Sequence, residues 1–176
     1  MPVSRRTFFV SSAALGAACM IGLLGSFAAA ATPSATTVAS GVARVDLGSV
    51  VVTMLNDGFF NRPLDANFVR NASIEEVQTA LSEAGLPTDS VEIPFTPLVV
   101  DLGDHRVLFD AGNGEFGAAT AGKLLENMAS AGIDPESITA VVISHFHGDH
   151  INGLRNRAGD MVFPNATVHV PEPEWN

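Results

Sequence analysis

The chain has 176 residues, 47% of them hydrophobic, and sets 9 basic against 19 acidic side chains for a formal net charge of −10. That length suffices for one domain, and the apolar fraction is ordinary for a folded protein, which excludes disorder as an account of the chain. Arg5 and Arg6 lie in the N-terminal segment and every acidic residue lies after it, leaving 7 basic against 19 acidic residues, a net of −12; so acidic a remainder excludes nucleic acid and anionic membranes as partners.

Residues 1–31 read as a twin-arginine signal peptide. Ser4-Arg5-Arg6-Thr7-Phe8-Phe9 resembles the export motif, an uncharged stretch follows, and Ala28-Ala29-Ala30-Ala31 offers a cleavage site of the A-x-A type. The apolar run is just long enough to span a bilayer, but its alanines and glycines partition weakly into lipid, so cleavage is the favoured reading. The expected location is the periplasm or the medium, with no stable membrane association once the leader is removed. Cys19 falls inside the leader, and Gly16 stands where a lipoprotein signal has a larger apolar residue. The mature chain is therefore without cysteine, so it has neither disulfides nor thiolate metal ligands. The sequons at Asn71 and Asn165 read as unglycosylated behind a leader of bacterial type.

Residues 32–41, rich in Thr, Ser and Ala, read as a flexible linker, and a domain is expected over 42–176. Its first element is a hairpin, residues 42–47 and 50–55 around Gly48-Ser49, closed by Asp57-Gly58. Residues 61–70 look irregular. Ser73 with Glu76 three residues on is a capping box, and Ile74, Val77, Leu81 and Ala84 give the helix that follows one apolar face, read as core packing in preference to a substrate lid. Residues 96–101 and 106–109 form a second antiparallel pair around Gly103, leading to Asp110 and Gly112. The spacing of Gly112, Gly114 and Gly117, with no Lys-Ser/Thr after them, argues against a phosphate loop. A helix is expected over 118–131 with Gly132 as its cap, then a short turn begun by Asp134-Pro135.

The stretch Ile138-Thr139-Ala140-Val141-Val142-Ile143-Ser144 is continuous, apolar and largely β-branched, the pattern of a buried strand. Directly after it stand His145-Phe146-His147-Gly148-Asp149-His150, which place three imidazoles and a carboxylate on the loop leaving the strand's C-terminal end. In an extended segment residues two apart point the same way, so His145 and His147 can share one ion, while Asp149 and His150, past the Gly148 bend, can turn toward a second. Two such ions hold a hydroxide between them and polarise a carbonyl or phosphoryl oxygen. A polar loop that merely caps a helix is the weaker reading of so clustered a pattern. His105 and His169 read as ordinary turn and strand residues.

With this H-x-H-x-D-H signature the chain resembles the metallo-β-lactamase-fold hydrolase superfamily. Val107-Leu108-Phe109-Asp110-Ala111-Gly112 is similar to the family's strand ending in Asp-x-Gly, and 132–144 to its connection into the metal strand. Gly153-Leu154 and Phe163-Pro164-Asn165-Ala166 resemble the branch of secreted organophosphate hydrolases and lactonases. The resemblance covers about 42–176. It implies an α/β (α+β) fold, the N-terminal half of an αββα sandwich. It also implies two zinc ions in the complete protein, with Mn2+ or Fe2+ as alternatives. His145 and His147 would bind the first ion, Asp149 and His150 the second; Asp149 would also handle protons during turnover, and Asp110 would orient a ligand imidazole. Family members draw further His and Asp ligands from a C-terminal half that would follow Asn176, so the chain is expected to be a fragment, inactive by itself and prone to self-associate, for instance as a homodimer. The implied chemistry is attack of metal-bound hydroxide on a small ester, lactone or phosphotriester. The alternatives are a β-lactamase, an iron-dependent redox relative and an inactive metal-binding remnant.

Overall fold

Residues 34–175 are described by a computed structural model; the expected leader, 1–31, lies outside them. Among the described residues, seven strands form one sheet in the order β1-β2-β3-β6-β7-β8-β9, and β4 and β5 form a separate two-stranded sheet. The strands are β1 (Ser34–Ala39), β2 (Val42–Asp46), β3 (Val51–Leu55), β4 (Gly58–Pro63), β5 (Ser90–Phe95), β6 (Leu98–Asp101), β7 (Arg106–Phe109), β8 (Ala140–Val142) and β9 (Thr167–His169). Helices α1 (Ile74–Glu83), α2 (Leu124–Ser130), α3 (Gly148–Ile151) and α4 (Glu172–Trp175) complete the order. From β1 to β7 neighbouring strands of the large sheet run antiparallel; β7–β8 and β8–β9 are parallel.

Strand register explains the core. Thr53 pairs with Val99, Val99 with Leu108, Leu108 with Val141 and Val141 with Val168, so one row of side chains crosses five strands on a single face. Side chains one position along a strand point to the other face, and Val52, Val100, Val107 and Ala140 there are only half-buried. The buried row packs with Leu124 and Met128 of α2 and with Ile138, Ile143 and Phe163 in one cluster. Burying a side chain of this size contributes about 1.5–3 kcal/mol, which makes this face the anchor of everything carried on the strand ends.

Several expectations need correction. Residues 34–39 are not a flexible linker; they form β1, paired antiparallel with β2. Residues 61–70 are irregular only in part, because 61–63 belong to β4, whose partner β5 went unrecognised. The capping box is present, with Ser73 Oγ accepting from the Glu76 amide at 3.2 Å and Glu76 Oε2 from the Ser73 amide at 2.8 Å, yet α1 buries none of its residues. Its apolar stripe is therefore not core packing within the described residues. The second helix is shorter than expected, since 118–121 is a turn whose last two residues pair with β4: the Phe59 amide donates to the Thr120 carbonyl at 3.2 Å, and Gly58 bridges Ala121.

Candidate metal centre

The loops that leave the C-terminal ends of β7 and β8 emerge side by side because these strands are parallel neighbours. The first loop opens with Asp110, a non-glycine residue at φ 61°, a left-handed conformation that Asp tolerates better than most residues. Its carboxylate is the hub of the region. Oδ1 accepts from the Ser144 amide at 2.7 Å, while Oδ2 lies 2.9 Å from the Ser144 hydroxyl and 2.8 Å from His150 Nδ1. The backbone joins the same two loops, for the Asp110 amide donates to Val142 and the Ala111 amide to His150, at 2.9 and 2.8 Å.

Behind this hub sits Asp57, which is wholly buried. One of its carboxylate oxygens accepts from the amide and side chain of Asn113 at 2.7 and 2.9 Å, and the other from the Leu124 amide at 2.8 Å. A buried carboxyl group of this kind is tolerable only when so fully hydrogen-bonded. Gly112, at φ 72°, lies so close that a Cβ there would sit 2.8 Å from Asp57 Oδ2. Asp57 thus pins the loop that begins with Asp110 and ends at α2.

The second loop brings the expected ligands together. His145 Nε2 and His147 Nδ1 lie 3.0 Å apart, and so do His150 Nε2 and Asp149 Oδ2. The His145 ring meets those of His147 and His150 with centroids at 4.6 and 3.9 Å. Two nitrogens about 2.0–2.1 Å from a tetrahedral zinc would stand roughly 3.3 Å apart, so the His145–His147 spacing is near that of a ligand pair. Among the described residues no three His, Cys, Asp or Glu side chains converge on one ion position; the donors come in twos. Neutral imidazole and carboxylate are the donor types that zinc and its first-row neighbours take, so the set suits such an ion in chemistry while each pair is short of a full shell.

The second pair is the more telling. If His150 donates from Nδ1 to Asp110, its Nε2 has a lone pair, and that lone pair faces a carboxylate oxygen at 3.0 Å. A ring nitrogen and a carboxylate oxygen so placed can share a proton or a metal cation. His105 stands at the exposed Leu102–His105 turn, away from the cluster, and His169 takes part through its carbonyl, which accepts from Ile143 at 2.9 Å. Sequence reasoning passed over Ser144, whose hydroxyl lies 3.0 Å from His145 Nδ1 as well as against Asp110; a hydroxyl adjoining the first histidine was the available signal. It also passed over Asp57, Asn113 and the β4–β5 hairpin.

A cavity of about 530 Å3 opens beside the loop. Phe60, Ile93 and Phe95 of the hairpin form its apolar wall, Arg62, Asn113 and Asn152 supply polar groups, and His147 and Asp149 line its edge. A further cavity of about 390 Å3 lies between 114–125 and 153–163 and touches none of the five candidate residues.

Comparison with known proteins agrees with the fold. The family model of the metallo-beta-lactamase superfamily matches residues 96–175. Ribonuclease Z of Pyrococcus furiosus is 37% identical over 90 residues, covering 50% of this chain and 26% of the relative. Among solved structures, AidC, a dizinc quorum-quenching lactonase in complex with a product, superposes with a TM-score of 0.74 at 28% identity, over 76% of this chain and 46% of that one. The hydrolase AbOPH of the beta lactamase superfamily gives a TM-score of 0.69 at 26% identity, over 76% and 45%. The chain thus spans about half the length of these structures and about a quarter of the curated relative. By their names these relatives are a ribonuclease, a dizinc lactonase and a hydrolase. Matching family model and structural neighbours together support the metallo-beta-lactamase superfamily, with about half of its fold present.

Proposed function

We propose that the whole protein is an exported, metal-dependent hydrolase of small neutral esters, lactones or phosphotriesters, and that His145 with His147, and Asp149 with His150, contribute to two neighbouring zinc sites. The observation that carries this reading is the gathering of three imidazoles and a carboxylate on one loop, with His145 Nε2 3.0 Å from His147 Nδ1 and His150 Nε2 3.0 Å from Asp149 Oδ2. When bound, the ions would supply an activated water and a positive field for the oxyanion that develops on the substrate. The chain's own residues do the rest. Asp110 holds the His150 ring through Nδ1 and so turns Nε2 toward Asp149, Ser144 ties Asp110 to His145, and Asp149 Oδ2 would take up and return a proton. The hairpin wall of Phe60, Ile93 and Phe95 shields one side from water and favours an apolar substituent on the substrate. The acidity of the mature chain disfavours a polyanion, so the likeness to ribonuclease Z is not extended to RNA as substrate.

Each pair offers fewer donors than four-coordinate zinc takes, so activity is assigned to the whole protein and self-association to the half-buried sheet face. The test is turnover of a panel of esters, lactones, phosphotriesters and β-lactams by zinc-loaded whole protein. Metal-dependent turnover is expected on the first three classes, lost in His145→Ala and unaffected in His105→Ala. Turnover that persists in His145→Ala, or zinc content that falls equally in both variants, overturns the assignment.

A further inference from the structure

We propose that Glu174 is a positioning residue for the candidate metal centre, setting the spacing of His145 and His147 through the peptide between them. The proposal rests on the reading of those two histidines as ligands of one ion. Glu174 Oε2 accepts from the Phe146 amide at 2.8 Å, and Phe146 is the residue that separates the two imidazoles. The Phe146 side chain packs against the core, and its ring meets the Trp175 ring edge-on, with centroids 6.5 Å apart and planes at 80°. Helix α4 therefore holds Phe146 at two points, one polar and one aromatic.

The need for such a hold follows from the loop's construction. Between β8 and α3 the chain leaves the sheet ladder, and its amides are taken one at a time by separate elements: Ile143 donates to the His169 carbonyl of β9 at 2.9 Å, Ser144 to Asp110 at 2.7 Å, and Phe146 to Glu174. The first two anchors precede the ligands. Glu174 grips the chain between them, so rotation of the peptide units around Phe146, which would swing the two imidazoles relative to one another, is opposed at that point. The nitrogens at stake, His145 Nε2 and His147 Nδ1, lie 3.0 Å apart, and a shared ion binds well only while that spacing is kept. Glu174 is exposed, so the bond adds little to global stability; its effect is on the loop's geometry before any ion arrives.

The experiment measures zinc dissociation constants by chelator competition, and the visible spectrum of the cobalt-substituted form, in the whole protein and in Glu174→Ala, Glu174→Gln, Trp175→Ala and His147→Ala. Apo-protein melting is recorded for each. Removing an outer partner of a ligand costs 10- to 100-fold in affinity, and for an exposed bond we expect the lower end, roughly tenfold in Glu174→Ala, with a changed cobalt spectrum and an unchanged apo melting temperature. Glu174→Gln keeps an acceptor oxygen and should restore affinity to within about a factor of three of the parent, a difference well under 1.4 kcal/mol. An affinity in Glu174→Ala equal to the parent's, or a loss in Glu174→Gln as large as in Glu174→Ala, overturns the proposal. So does a loss in Trp175→Ala matching that of Glu174→Ala, which would assign the effect to packing of α4. If His147→Ala binds zinc as the parent does, the ligand assignment itself falls, whereas loss in His147→Ala with none in Glu174→Ala removes only the role of Glu174.

Discussion

Exchanging Asp110 for Asn separates the fold from the metal-binding chemistry. Asn tolerates the left-handed backbone at φ 61° and keeps one oxygen for the Ser144 amide, now 2.7 Å away. Its NH2 group then takes the place of Oδ2, 2.9 Å from the Ser144 hydroxyl, which can accept, and 2.8 Å from His150 Nδ1. A donor in that place favours the His150 tautomer with its proton on Nε2, which satisfies Asp149 Oδ2 but leaves Nε2 with no lone pair for an ion. Binding must restore the other tautomer against two opposed N–H groups, at the cost of an unsatisfied donor, about 1–3 kcal/mol. At 1.4 kcal/mol per decade this is a loss of roughly 5- to 150-fold in affinity for the second ion, with apo stability nearly unchanged. Asp110→Ala differs in kind, because it places Ala in the left-handed region at about 1–2 kcal/mol and also removes three hydrogen bonds of roughly 0.5–1.5 kcal/mol each. Chelator competition and urea unfolding of the two apo variants make the comparison. An Asp110→Asn protein that binds both ions with parental affinity would refute the tautomer argument, and one as unstable as Asp110→Ala would refute the claim that Asn fits the site.

Gly153→Ala should cost about 3 kcal/mol or more, because the added Cβ would lie 1.9 Å from the Ala111 carbonyl oxygen, a backbone atom that cannot turn aside; unfolding within about 0.5 kcal/mol of the parent would contradict this. The Asp101 carboxyl is held below its ordinary value first by hydrogen bonds from Arg106, at 2.6 and 3.0 Å, and then by the Gly103 amide. Since the folded form has the lower pKa, the pair stabilises above the unfolded value near 3.9 and loses this as pH falls through the folded value; Asp101→Asn should cost up to about 1 kcal/mol at pH 7, less in high salt, and nothing once the carboxylate is protonated, which melting from pH 7 to 2 would check. For the proposed export, replacing Arg5 and Arg6 by Lys preserves charge and should abolish translocation through a receptor that reads arginine; periplasmic recovery of normally cleaved protein would refute it.

What was legible from sequence had its determinants close together along the chain. The H-x-H-x-D-H run begins three residues past the end of its strand, so spacing alone predicts two donors on each side of Gly148, and Ser73 with Glu76 fixed the start of α1 through a contact three residues long. Periodicity told which face of α1 is apolar but not how deeply it packs, and among the described residues Ile74, Val77 and Leu81 of that face are only half-buried. The β4–β5 pair escaped notice because residues 64–89, a long stretch of helix and loop, separate its two strands, and no turn residue marks it. Asp57 and Glu174 were invisible for the same reason: each acts on a loop 56 or 28 residues away, through hydrogen bonds that only the folded chain creates. Segment 118–121 reads as helix locally and is drawn off by a tertiary hydrogen bond to β4, an instance of context overriding propensity.

The two-stranded sheet of β4 and β5 shares no strand with the seven-stranded one. The donors stand on loops of the large sheet, whereas the aromatic wall beside them belongs to the small one. Selection can therefore act on the two separately. Replacing Phe60, Ile93 or Phe95 reshapes what the cavity admits without touching a strand that supports His145 or Asp149, while changes in β7 or β8 strike every substrate alike. If the proposed function holds, a lineage built on this frame is free to change substrate by redecorating one hairpin, and the loops of the large sheet would record its ancestry longer than the hairpin wall does.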